Sequence, residues 1–156
     1  MDFDRALELF RALGDEGVEY AVFGALALSA HGIVRATVDA DVFIRPTESN
    51  LAALRRALRR LWPEDASIDE ITAEDLAGDY PAVRYVPPEG ELTIDIVSRL
   101  GEAFAFDDLE TELITLERVP VRVVTARMLY RMKRDTLRAI DRADAEALKR
   151  AFGFEE

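Results

Sequence analysis

The chain has 156 residues, of which 49% are apolar and 33% charged, as expected for one globular domain with its own core. It has no cysteine and one histidine, which excludes disulfides, thiolate metal sites and nearly every structural zinc arrangement, and leaves carboxylates as ligands for magnesium or manganese. The net charge of −11 argues against general coating of nucleic acid, because affinity for phosphates comes mainly from Lys and Arg.

The N-terminal ten residues, MDFDRALELF, are acidic and amphipathic, unlike the basic start of a signal peptide. The longest apolar run, residues 20–30, is too short to span a bilayer. We therefore expect a cytoplasmic protein with no membrane partner.

The first third of the chain alternates between helix and strand patterns. Apolar residues recur every three or four positions over 2–13, which predicts a helix, and 18–23 is a β-rich apolar run. Gly24 breaks this strand, and residues 25–30 favour a short helix that ends near His31 and Gly32. A strand, a glycine turn and a helix N-terminus form an arrangement whose backbone N–H groups can face an anion. At this helix end we interpret His31 as a hydrogen-bonded structural residue.

The next strand, residues 38–44, contains two aspartates. Asp39 and Asp41 are two positions apart in an otherwise apolar run, so their side chains point from the same face. Two carboxylates there repel each other and either raise each other's pKa or require a cation between them.

Thr47 can cap a helix with an apolar stripe that ends at Trp62, which we interpret as a core residue. The opposite side of this helix carries four arginines. They could bind phosphate, but the more common role of such a row is a solvated face. The four residues are Arg55, Arg56, Arg59 and Arg60.

Two further strands, 82–86 and 91–97, flank the turn Pro-Pro-Glu-Gly. Asp95 shares a strand face with Thr93 and Val97, so it is a third aspartate inside an apolar strand. Its neighbours at 94 and 96 point to the other face.

The remaining chain supplies more strand and helix. Residues 104–116 suggest a helical turn and a short strand, and 119–124 is a strand in which Pro120 favours an edge position. Thr125 can cap the next helix, and a last helix spans 141–152. We therefore predict an α/β (α+β) fold with one mixed sheet flanked by helices, in a single domain over 1–156. Its core would be about 15–100, followed by a basic helical part at about 125–152.

Charge is unevenly placed along the chain. Residues 118–150 contain ten basic and four acidic residues, a local charge of +6 in an acidic protein. Such a segment could hold a polyphosphate or a structured RNA, although solvated helix faces explain the same pattern.

The three aspartates allow two interpretations. Asp39 could pair with Arg35 or Arg45, and Asp95 with Arg84 or Arg99, as ordinary ion pairs. Alternatively, they form a divalent-metal cluster that clamps a triphosphate and activates an attacking hydroxyl.

The segment VFGALALSAHGIVRATVDADVFI, followed by an Asp on a later strand, resembles the nucleotidyltransferase fold of DNA polymerase β-like enzymes. More narrowly, it is similar to the signature of AbiEii-type nucleotidyltransferases, the toxins of type IV toxin–antitoxin systems. In that pattern a Gly-Gly or Gly-Ser turn leads through a helix ending in His-Gly to Arg-x-Thr-x-Asp-x-Asp. The matching positions are Gly24, His31, Gly32, Arg35, Thr37, Asp39 and Asp41.

The resemblance implies a role for each matching residue. Asp39, Asp41 and Asp95 would be the catalytic residues and would hold Mg²⁺ or Mn²⁺, and Asp95 would also help to deprotonate the acceptor. The nucleotide-binding residues would be Gly24, Ala25, Arg35, Thr37 and Lys133, and a later aspartate, Asp141 or Asp144, could match one that follows the lysine in relatives.

The function implied is transfer of a nucleoside monophosphate from an NTP to an acceptor hydroxyl. The acceptor could be RNA such as the end of a tRNA, a protein side chain or a small molecule, and a cognate antitoxin is a further partner. Ala25 departs from the pattern, because it lacks the hydroxyl of a serine. This departure favours the alternative, a non-catalytic nucleotide- or partner-binding module that keeps the fold.

Overall fold

The computed structural model of the protein describes residues 3–34, 39–78, 81–100, 104–134 and 139–154. Within these ranges the helices are α1 (Phe3–Asp15), α2 (Gly24–Ala30), α3 (Glu48–Leu61), α4 (Ala126–Arg134) and α5 (Ala139–Phe152). The strands are β1 (Tyr20–Phe23), β2 (Asp39–Ile44), β3 (Ala82–Tyr85), β4 (Thr93–Val97), β5 (Arg99–Leu100), β6 (Phe104–Ala105), β7 (Thr111–Leu116) and β8 (Val119–Val124). Two short 3₁₀ segments cover Ala66–Glu70 and Phe106–Asp108.

Six strands form one mixed sheet in the order β3-β4-β2-β1-β8-β7, and β5 pairs with β6 in a separate ribbon. The pairs β1–β8 and β2–β4 are parallel, whereas β1–β2, β3–β4 and β7–β8 are antiparallel. Helices α1 and α3 pack on each other, α2 packs against β1 and β2, and α4 packs against α5. The predicted mixed sheet flanked by helices is confirmed.

The caps predicted from the sequence form. Thr47 Oγ1 accepts a hydrogen bond of 3.2 Å from the backbone N–H of Asn50 at the start of α3. Thr125 Oγ1 accepts one of 3.1 Å from the N–H of Met128 at the start of α4. Each bond satisfies a backbone donor that the first helical turn leaves unpaired, so the two helices begin where the sequence places them.

Three of the four arginines on the exposed side of α3 form ion pairs with acidic residues of neighbouring segments. Arg56 and Arg60 both bind Glu16, with Nε–carboxylate distances of 3.1 and 2.7 Å. Arg59 pairs with Asp69, and Arg55 donates to the carbonyl of Ile71. The row therefore connects α3 to neighbouring segments, and on the other side Trp62 is 2% exposed, as expected of a core residue.

The predicted edge position of the strand at 119–124 is wrong. β8 lies between β1 and β7 inside the sheet, and β7 is the edge strand. The proline fits because β1 meets β8 at Val22 and Val123, three positions beyond Pro120. At Pro120 itself, β8 pairs with Thr115 of β7.

None of the helices in these ranges has both the length and the apolar character needed to cross a membrane.

Candidate active site

The three aspartates lie on adjacent strands. Asp39 and Asp41 are on β2 and Asp95 is on β4, and the parallel pairing of the two strands places Asp41 directly opposite Asp95. Asp39 is opposite Thr93, one step along the same face. The sheet thus brings Asp95 next to two carboxylates that are more than fifty positions earlier in the sequence.

The alternation of burial on β2 matches the predicted faces. Ala40 and Val42 are 0% and 1% exposed and belong to the core, whereas Asp39 and Asp41 are half-buried. On β4, Ile94 and Ile96 are buried and Asp95 is half-buried. The carboxylates therefore share the more accessible face of the sheet, where a ligand can reach them.

Gly24 leaves room for Asp41. It is the first residue of α2, has a φ of +70°, and a Cβ added to it would be 2.0 Å from Asp41 Oδ2. An L side chain rarely adopts this φ, and the carboxylate occupies the space that a side chain would need. The turn between β1 and α2 is thus built around the Asp41 carboxylate.

The environment of Asp41 disfavours its ionised form. Burial raises its pKa to about 7, and the negative charges of Asp95 and Asp39 contribute in the same direction. The positive charge of Lys133 opposes this effect, so Lys133 is within electrostatic range of Asp41. Negative charge at this point of the sheet is only partly compensated.

Arg84 provides part of that compensation. Its Nε and one NH2 group donate to the two oxygens of Asp95 at 2.9 and 3.2 Å, and the same group is 3.6 Å from Asp39 Oδ2. The ion pair between Asp95 and Arg84, one of two interpretations of the sequence, is therefore present. Arg45, one of the two arginines named as possible partners of Asp39, instead pairs with Glu19 and Asp107.

The three carboxylates fit a divalent cation in their chemistry. Carboxylate oxygens are the donors that Mg²⁺ and Mn²⁺ prefer, and a divalent cation would offset the charge that raises the pKa of Asp41. In the part of the chain that the structure describes, no group of three or more acidic or histidine side chains has its ligand atoms arranged to hold a metal ion. The oxygens of Asp95 are instead turned to Arg84.

Lys133 is held by two aspartates of α5. Its Nζ donates to Asp141 and to Asp144, in each case at 3.1 Å, and all three side chains are at most 13% exposed. The aspartates that the resemblance places after the lysine thus fix its ammonium group. Lys133 acts on Asp41 through its charge from this position.

The other nucleotide-binding candidates are placed in part. Ala25 is half-buried at the second residue of α2, next to Gly24. Arg35 and Thr37 lie outside the described residues. His31 Nε2 donates to the carbonyl of Val124 at 2.8 Å, which confirms a hydrogen-bonded histidine that joins α2 to the end of β8.

Two features of the site were not evident from the sequence. The clearance that Gly24 gives to Asp41 depends on how two strands and a turn pack, for which the sequence carries no signal. Arg84 appeared only as a pairing partner, although the hairpin that contains Asp95 was a signal that the two residues could be cross-strand neighbours.

Comparisons with known proteins bear on the family and the fold of the chain. The sequence pattern of the family described as "Nucleotidyl transferase AbiEii toxin, Type IV TA system" matches residues 8–147. A crystal structure from Thermotoga maritima, described as a candidate nucleotidyltransferase, is similar in fold with a TM-score of 0.55. The similarity covers 97% of this chain and 93% of that one at 13% identity. No curated protein matches the sequence.

Proposed function

The chain belongs to the AbiEii nucleotidyltransferase toxin family of type IV toxin–antitoxin systems, and on this premise we propose that it transfers a nucleoside monophosphate from an NTP to an acceptor hydroxyl. The observation that carries the proposal is the register of β2 and β4, which sets Asp41 opposite Asp95 with Asp39 beside them. Three carboxylates on one accessible face are the donor set that a metal-bound triphosphate requires.

The reaction replaces a phosphoanhydride bond of the NTP with a phosphate ester bond to the acceptor. The acceptor oxygen forms a bond with the α-phosphorus of the NTP, the bond from that phosphorus to the bridging oxygen breaks, and pyrophosphate leaves. The hydroxyl loses one proton in this exchange, so the site must contain a group that can take it. We assign this role to Asp95, whose side chain is 24% exposed and therefore within reach of an acceptor.

The remaining residues bind and orient. Asp39, Asp41 and Asp95 would hold Mg²⁺ or Mn²⁺, which when bound offsets charge on the phosphates and on the attacking oxygen. Gly24 brings the backbone close to Asp41, and the N–H of Ala25 can donate to a phosphate oxygen. Lys133 would attract the phosphates with a charge that Asp141 and Asp144 keep in place.

Arg35 and Thr37 complete the proposed nucleotide-binding set. Beyond the nucleotide, we propose a cognate antitoxin as partner, and RNA such as tRNA or a protein as the acceptor class to test first. A cytoplasmic location follows from such substrates.

The test is transfer of label from each of the four α-³²P NTPs to total RNA or to cell protein, with Mg²⁺ and with Mn²⁺. We expect label on one acceptor class, and we expect Asp39→Asn and Asp41→Asn each to lower transfer by at least a hundredfold. Glu112→Gln is the matched control, because it removes one exposed carboxylate from β7 of the same sheet. Unchanged transfer by either aspartate variant would contradict the proposal.

The alternative is a binding module without catalysis. The ion pair of Arg84 with Asp95 and the absence of a serine at 25 favour it. Calorimetry with each NTP and Mg²⁺ separates the two functions, because tight binding without label transfer to RNA or protein would support the module.

A further inference from the structure

Arg84 and Asp95 are cross-strand neighbours. β3 is the edge strand on the side of the sheet opposite to β7, and its antiparallel register with β4 sets Arg84 directly opposite Asp95. The guanidinium donates to both carboxylate oxygens, the bidentate geometry that arginine forms best with a carboxylate. Both oxygens of one proposed metal ligand are therefore already engaged.

The same guanidinium also interacts electrostatically with Asp39 and Asp41. It is 3.6 Å from Asp39 Oδ2, and the charges of Asp95, Asp39 and Asp41 all act on it. Because arginine remains charged at every accessible pH, this positive charge among the aspartates is permanent. Arg84 is thus a cation at the place where the proposed function requires another cation.

The arginine is also the accessible member of the group. Its side chain is 62% exposed, whereas those of Asp95 and Asp39 are 24% and 27% exposed. An exposed ion pair of this kind contributes little to stability, so the guanidinium can turn away toward solvent at small cost. The aspartates, which belong to paired strands, have less freedom to move.

We propose that Arg84 is the counter-ion of the metal-free site and competes with the divalent cation for Asp95. When the cation binds, Arg84 leaves the two oxygens of Asp95, so this residue raises the concentration of Mg²⁺ or Mn²⁺ at which the site fills. The inference rests on the proposed function, since it takes Asp95 as a metal ligand.

The competition is measured by binding of Mn²⁺ alone, without nucleotide, from the electron paramagnetic resonance signal of free Mn²⁺. Arg84→Gln should bind Mn²⁺ about tenfold more tightly than the unaltered chain, because one positive charge and two hydrogen bonds to Asp95 are removed. Arg84→Lys keeps the charge but cannot donate two parallel hydrogen bonds to Asp95, so its Mn²⁺ affinity should lie between those of Arg84→Gln and the unaltered chain. Arg122→Gln on β8 removes the same charge elsewhere in the sheet and should leave Mn²⁺ affinity unchanged within about twofold.

A second measurement uses the unaltered chain and so does not depend on the folding of a variant. The Nε–H resonance of Arg84 in a ¹⁵N spectrum should shift on addition of diamagnetic Mg²⁺, because its hydrogen bond to Asp95 is lost.

The possible results distinguish failure of the competition by Arg84 from failure of the proposed metal site. Equal Mn²⁺ affinity of Arg84→Gln and the unaltered chain, or an Arg84 resonance that stays in place while Mg²⁺ binds, would overturn the inference and leave the proposed function intact. Absence of Mn²⁺ binding to every variant, with or without NTP, would overturn the metal site and the inference together.

Discussion

The carboxylate of Asp41 lies against the backbone of Gly24, so that a Cβ on Gly24 would be 2.0 Å from Oδ2 and 2.8 Å from the carboxyl carbon of Asp41. The two residues come from different segments, the turn between β1 and α2 and the middle of β2. Their contact joins the turn proposed to bind phosphate to a carboxylate proposed to bind the metal.

Gly24→Ala should therefore lower both stability and activity. The φ of +70° and the clash with Asp41 together should cost more than about 2 kcal/mol in the free energy of unfolding, measured by urea denaturation. Gly14→Ala is the matched control, because a Cβ there meets nothing within 4 Å and an alanine in α1 should stabilise the helix by up to about 1 kcal/mol. Equal stability of the two variants would contradict the contact.

The raised pKa of Asp41 gives a stability that depends on pH. The folded chain holds the proton of Asp41 up to a pKa of about 7, whereas in the unfolded chain the carboxyl loses it near 3.8. Between these values the folded state binds more protons, so its stability decreases as pH rises and the loss is complete above pH 7.

Asp41→Asn should remove this decline. We expect the variant to melt at a higher temperature than the parent at pH 8 in EDTA, and the difference to shrink toward pH 5. Circular dichroism melts across this range measure it. A difference in melting temperature that is constant with pH would be the contrary result.

Lys133 should stabilise the fold through its two aspartates. Lys133→Met leaves Asp141 and Asp144 without the ammonium that they accept from, and Asp144 is 7% exposed, so we expect a loss of about 2–4 kcal/mol. The double variant Lys133→Met with Asp144→Leu should recover part of that loss, because the buried charge is removed. A double-mutant cycle in urea measures the coupling, and simple additivity would show that Lys133 and Asp144 act independently.

His31 should matter for stability and not for chemistry. Its imidazole donates to the carbonyl of Val124 and packs edge-on against Phe152, with ring centroids 6.1 Å apart. His31→Ala should cost about 1–2 kcal/mol in unfolding free energy and leave the transfer rate per folded molecule unchanged. A variant that melts normally but transfers no label would instead assign His31 to catalysis.

Local pattern was enough to predict much of this protein. Helix caps at Thr47 and Thr125, the strands that carry the aspartates and the shared face of Asp39 and Asp41 all follow from residues a few positions apart. Caps and the alternation of a strand are set within one turn or one pleat, so the sequence contains them directly. The prediction of a single domain over 1–156 remains a prediction.

Tertiary structure decided the relationships between segments. The interior place of β8, the register that sets Asp41 opposite Asp95, the arginine that β3 presents to Asp95 and the fit of Gly24 to Asp41 each join distant parts of the chain. Strand order and register depend on how the whole sheet packs against its helices, because a strand's own pattern fixes only which side chains share a face. The sequence by itself therefore determined which residues are candidates for the chemistry, and the fold determined that Asp41 lies opposite Asp95 and that Arg84 contacts Asp95.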